Sequence, residues 1–177
     1  MMRLVIVILF LCLFFEVQAQ KYKSVEGKVR FFSEATLENI AADNAKASSV
    51  FDESNGNIVF SVPIKSFEFR KSLMQEHFNE NYMESDQYPK AIFKGTVTGF
   101  ENKAGTQKVS AQGDMTIHGV TKPVNVDGTM ELKDGQIYLK SVFKVRLEDY
   151  NVKIPQVLWQ NIAEEVEVTM NFIYQPI

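Results

Sequence analysis

Gln107–Leu132, QKVSAQGDMTIHGVTKPVNVDGTMEL, alternates twice over. In its first half Val109, Ala111, Gly113, Met115 and Ile117 share one face, while Ser110, Gln112, Asp114, Thr116 and His118 share the other. After the break at His118-Gly119-Val120-Thr121 the pattern restarts, with Val124, Val126, Gly128, Met130 and Leu132 opposite Asn125, Asp127, Thr129 and Glu131. A period of two with one apolar face predicts an antiparallel hairpin. Such a face must be covered, either by a second sheet or by curling of the same sheet into a barrel.

Working outward, the same alternation recurs. Lys133-Asp134-Gly135 reads as a tight turn into a strand that sets Ile137, Leu139, Ser141, Phe143, Val145 and Leu147 on one face. The last strand aligns Val166, Val168, Met170, Phe172 and Tyr174 against Glu165, Glu167, Thr169 and Asn171. Upstream, Ile58, Phe60, Val62 and Ile64 alternate after a hairpin turn at Asn55-Gly56, and Pro63 marks a bend near that strand's end. Tyr22–Ser33, Ser48–Asp52 and Lys90–Phe100 complete the set of eight expected strands. Glu34–Ala47 is rich in helix formers without an apolar stripe, and is expected to be a connection with at most a helical turn. In RKSLMQEHFNENYMESDQYP the period changes, since Leu73, Met74, Phe78 and Tyr82 recur at helical intervals, which predicts a short amphipathic helix between strands 3 and 4. Pro155 opens a second interruption, a short helical turn before the last strand carrying Val157, Leu158 and Trp159. The expectation is all-β: eight antiparallel strands joined mostly by short turns suit an up-and-down barrel, with a two-sheet sandwich as the alternative.

With 177 residues the chain suits one domain. Its 19 Lys plus Arg against 22 Asp plus Glu provide no basic field for nucleic acid. Residues 1–19 read as a signal peptide: Arg3 precedes the apolar run Leu4–Phe15, and Val17-Gln18-Ala19 supplies the small-residue cleavage site. As a helix that run would span roughly 18 Å against a hydrocarbon core of about 30 Å, which argues against a permanent membrane anchor. Residues 20–177 then form the mature domain, exported to the periplasm or the extracellular space. The single cysteine, Cys12, would leave with the signal, so the domain should hold itself together by its core.

Three stretches carry a family resemblance: Phe69-Arg70 with LMQEHFNENYMESDQYPKAIF, then GDMTIHGVTKPV, then FKVRLEDYNVKIP. Together they resemble the YceI-like family of bacterial envelope proteins, over essentially the whole mature chain, and Thr-Ile-His-Gly-Val-Thr-Lys-Pro is the most specific run. The resemblance implies an elongated, lipocalin-like eight-stranded barrel associated with polyisoprenoid or other long-chain lipids in its lumen. The chain departs from the family in lacking an acidic residue beside Arg70, where Lys71 stands, and in its longer ending EDYNVKIPQVLWQNIAEEV.

On this reading the candidate lumen residues are Phe60, Val62, Phe67, Phe69, Met74, Phe78, Phe93, Val97, Met115, Ile117, Val126, Met130, Phe143, Val145, Trp159, Val168, Met170 and Phe172. Met and Phe adapt to flexible apolar chains, although an ordinary packed core uses the same residues. Small residues on inward faces, among them Ala111, Gly113, Gly128 and Ser141, either leave volume for a ligand or let strands bend. His77 and His118 lack paired ligand spacing for a metal, and His118 beside its turn is better suited to hydrogen bonding. No nucleophile elbow, phosphate-cradling glycine loop or Ser/His/Asp arrangement is evident, so no catalytic residue and no cofactor is expected. The expected function is to hold one long-chain apolar lipid, a polyisoprenoid or isoprenoid quinone first and a fatty-acid derivative second, for transport or storage. The alternative is a ligand-free envelope protein with a packed barrel that recruits a protein partner. Oligomeric state stays open, a dimer included.

Overall fold

The computed structural model describes residues 20–34, 39–153 and 164–177. The signal segment and the Pro155–Ile162 turn, with Trp159, lie outside the described residues.

The long hairpin forms as its alternation predicts. β7 (Gly105–Ile117) and β8 (Val120–Lys133) pair from Gly105↔Leu132 to Ile117↔Val120. Their link is two residues, His118 and Gly119, both at positive φ, which gives a hairpin turn the twist of its strands. Asp134 and Gly135 do the same between β8 and β9 (Gln136–Arg146). The Asn55-Gly56 turn is looser than expected, because β3 (Ser48–Asp52) and β4 (Asn57–Pro63) are joined by four residues, with only Gly56 at positive φ. The Asp52 and Asn55 side chains accept backbone N–H groups of Ser54 and Asn57 and so hold that loop.

The sheet closes on itself. β1 (Lys21–Ser33) pairs along its length with β10 (Glu165–Pro176), and the order β10-β9-β8-β7-β6-β4-β3-β1 completes a ring, with β6 spanning Lys90–Thr98. The barrel is therefore realised and the sandwich is not. Two further strands correct the reading of the chain between β1 and β3 and after β4. β2 (Ile40–Asn44) lies in what was expected to be a connection, and β5 (Glu68–Phe69) pairs with it. β2 and β3 meet the same edge of β1 in a single register, Val29↔Asn44 and Lys23↔Val50, so they are one stave interrupted at residues 45–47. Helix propensity loses there because the free edge of β1 needs a partner. At the interruption Asn44 is buried, donates to the Pro63 carbonyl at 2.7 Å and accepts from Lys46 N–H at 2.8 Å. Opposite it, Gly27 leaves no room for a Cβ, which would stand 2.2 Å from the Ala47 carbonyl oxygen. A 3-10 turn at Ile64–Ser66 similarly breaks β4 from β5, just after the bend at Pro63.

The ladder between β8 and β9 is partial. It runs from Lys133↔Gln136 to Gly128↔Ser141 and stops there, so the two strands diverge toward the β7–β8 turn. A 3-10 turn at Leu147–Tyr150 lies against both strands in the fork, and Tyr150 and Val152 are buried there. The expected helix is present as α1 (Ser72–His77) continued by a π turn at Phe78–Tyr82. Leu73, counted with its apolar stripe, is 60% exposed and points away from the barrel. The end of the barrel carrying α1, the β7–β8 turn and the Leu147–Tyr150 turn is called the upper end below.

Candidate functional site

The two ends of the lumen are filled differently. Toward the lower end Phe51, Met130, Ile137, Phe172 and Tyr174 are all at most 1% exposed and pack solidly. The Tyr174 hydroxyl is the one polar tip among them, and it donates to Ser49 Oγ at 2.7 Å. Burial pushes that phenol well above the ordinary tyrosine range.

Toward the upper end the barrel encloses a cavity of about 200 Å³. Its wall is built from inward faces of the strands: Val29 and Phe31 on β1, Phe60 and Val62 on β4, Phe93 on β6, Met115 and Ile117 on β7, Phe143 and Val145 on β9, and Val166, Val168 and Met170 on β10. The helical excursion lies over the mouth and contributes Met74, Phe78, Tyr82 and Met83. Phe78 seats it: its ring stacks on Phe31 at 5.5 Å and meets Phe67 and Phe69 at 5.6 and 5.0 Å. Among the described lining residues only Ser33, Tyr82 and Tyr150 carry a hydroxyl, and none carries a charged side chain. Burial raises the pKa of Tyr82 and of Tyr150, the latter helped by the nearby Asp149 carboxylate. Such a surface offers a ligand contact area and almost no hydrogen bonds, which suits an apolar chain and poorly suits a polar molecule.

His118 ties the upper elements together. Its Nε2 lies 2.8 Å from Glu84 Oε2, beyond the π turn, and its Nδ1 lies 3.3 Å from the Tyr150 carbonyl oxygen. The Tyr88 ring packs on it edge to face at 4.6 Å. Lys122 Nζ, on β8, adds an ion pair to Asp149 at 3.3 Å across the fork.

Trp159 lies outside the described residues, and the other expected lumen residues divide three ways. Phe60, Val62, Phe67, Phe69, Met74, Phe78, Phe93, Met115, Ile117, Phe143, Val145, Val168 and Met170 all line the upper cavity. Val97 and Val126 line a second, smaller cavity directly below it. Met130 and Phe172 line neither; they belong to the packed lower core, where Phe172 abuts Phe60 at 4.9 Å. Alternation places a residue on the inward face but does not fix at which height that face is hollow. The structure also adds lining residues that periodicity did not select. Phe31, Leu147, Tyr82 and Val166 were on recognisable faces, whereas Ile40, Met83, Tyr150 and Val152 come from loops or the unexpected β2 and carry no periodic signal.

A model of the YceI-like domain matches residues 12–174. A UPF0312 protein of Photorhabdus laumondii is 30% identical over 116 residues, 60% of this chain, and the match spans 58% of that relative's length. Among solved structures, a polyisoprenoid binding domain from Saccharophagus degradans, implicated in plant cell wall breakdown, superposes with a TM-score of 0.76 at 14% identity, covering 88% of this chain and 98% of that one. BcnA of Burkholderia cenocepacia gives a TM-score of 0.71 at 18% identity over 83% of this chain and 95% of its own. With a closed barrel of this topology and a domain match over nearly its whole length, the chain belongs to the YceI-like family.

Proposed function

We propose that this protein is a binding protein without chemistry of its own, which holds one long-chain apolar lipid in the upper lumen for transport or storage. The observation that carries the reading is the cavity of about 200 Å³ with no charged side chain among its described lining residues. Polyisoprenoids and isoprenoid quinones are the first ligand class, since the Saccharophagus domain of like fold is described as polyisoprenoid binding; fatty-acid derivatives come second. Binding is driven by withdrawal of apolar ligand surface from water, at roughly 25 cal/mol per Å², less the cost of ordering the chain. The apolar run Leu4–Phe15 followed by Ala19 supports export by a signal peptide, and hence work in the periplasm or outside the cell.

The test is native mass spectrometry of the mature protein taken gently from its host's envelope, followed by denaturation and identification of what is released. A stoichiometric lipid of defined mass is expected. A protein that emerges bare, and stays bare after exposure to total lipid extract, favours instead a packed barrel that recruits a protein partner. Met115→Arg places a charge on the buried cavity wall and should abolish retention. Thr116→Arg alters the outer face, where Thr116 pairs hydroxyls with Thr121 at 2.8 Å, and should retain lipid. Equal retention in both variants would count against the lumen as the site.

A further inference from the structure

Below the upper cavity lies a second one of about 60 Å³, and five side chains border both: Phe60, Phe93, Met115, Phe143 and Met170. They come from β4, β6, β7, β9 and β10, and so form a collar across the lumen. The volume beneath the collar exists because part of the inward face, among Val109, Val126 and Leu139, carries only small residues. Gly128 is paired with Ser141 and Val109, and Ala111 stands two residues along β7 from Val109. The outward-facing residues Asp127 and Lys140 border this space as well, which shows that backbone itself forms part of its wall. A side chain at 128 has no room, since its Cβ would stand 2.7 Å from the Lys140 carbonyl oxygen. Val109 and Leu139, both buried, line the space as well.

We infer that this collar and the pocket beneath it set the length of the apolar chain the barrel accepts, a reading that rests on the lipid-binding function proposed above. Two members of the collar are methionines, whose unbranched side chains change rotamer more easily than phenyl rings do. A chain short enough to end in the upper cavity meets the collar as a floor. A longer one passes Met115 and Met170 and places its terminal carbons against Ala111, Gly128 and Ser141. Beyond that the packed lower core stops it, and further methylenes must remain in the mouth. The specificity-determining residues are then Met115 and Met170 as the passage, and Ala111 and Ser141 as the depth.

The experiment uses the mature protein, delipidated, with straight-chain saturated fatty acids of increasing length as probes, and reads the dissociation constant for each. In the wild type the affinity should rise by roughly four-fold per added methylene, the value of one buried CH₂, and then level off. Ala111→Leu fills the lower pocket and should level off at a shorter chain, with short-chain affinity unchanged. Met115→Ala opens the collar and should level off at a longer one. Ser141→Val repeats the first test at the opposite wall, should Ala111→Leu fail to give a cooperative thermal melt. Curves that level off at the same length in the wild type and in every folded variant would overturn the ruler while leaving the carrier intact. A wild-type protein that binds no chain of any length would remove the carrier reading, and the ruler with it.

Discussion

The two halves of this barrel are made from the same eight staves and the same residue types, yet one is solid and the other hollow. The lower half fills its lumen with Phe51, Met130, Ile137, Phe172 and Tyr174, and there β8 and β9 are tied by their ladder. At mid-height, level with Phe172, one stave is broken at residues 45–47; in the upper half another is broken at 64–66, β8 leaves β9 at Gly128, and the lumen contains the larger cavity. Packing stabilises through contacts that a void forfeits, so the lower half should carry most of the stability and the upper half should be free to open. A binding protein needs both: a rigid base that holds the shape and a mouth through which a chain can pass.

The sharpest test of that division is a pair of large-to-small changes. Ile137→Ala, at a position with no exposure, should cost about 2–5 kcal/mol in urea unfolding. Ile117→Ala, half-buried on the cavity wall, should cost about 1 kcal/mol or less. Comparable losses would break the comparison. A bound apolar ligand should act on the other half: at a hundred times its dissociation constant it adds about 2.7 kcal/mol of stability. Amide exchange should then slow in the upper parts of β1, β9 and β10 and at Phe78–Tyr82, with the lower strands unchanged.

Alkaline unfolding distinguishes the halves more gently. Burial raises the phenol pKa of Tyr22, Tyr82, Tyr150 and Tyr174, most of all Tyr174. A phenol whose folded pKa lies above its unfolded value of about 10 contributes stability that is fully present below that pH and is lost as pH rises through the folded value. Tyr174→Phe should flatten the decline above pH ~10 most, and Tyr150→Phe less. At neutral pH, Tyr174→Phe removes one buried hydrogen bond and should cost about 1 kcal/mol. The smallest effect belongs to Lys122→Ala. Both partners of the Lys122–Asp149 pair are about half exposed, so the loss should be at most about 0.5 kcal/mol in a thermal melt. A loss above about 2 kcal/mol would show that the fork depends on this pair far more than an exposed ion pair normally allows.

Much of the architecture is legible in the chain alone. Alternation from Val109 to Leu132 dictates a two-faced hairpin, Asp134-Gly135 and His118-Gly119 dictate its turns, and the spacing of Met74, Phe78 and Tyr82 dictates a helix laid on an apolar surface. Those are local properties, set by backbone sterics and by which side of the chain avoids water. What depended on tertiary structure is whatever distant segments settle between them. Ile40–Asn44 is a strand because the edge of β1 lies unpaired beside it, against its own composition. Ser49 is buried because Tyr174, 125 residues away, reaches its hydroxyl. Met130 and Phe172 share a face with Met115 and Met170, yet the first pair lies in packed core and the second borders the cavities. Height along the barrel axis follows from how eight staves stagger, and no single strand encodes it.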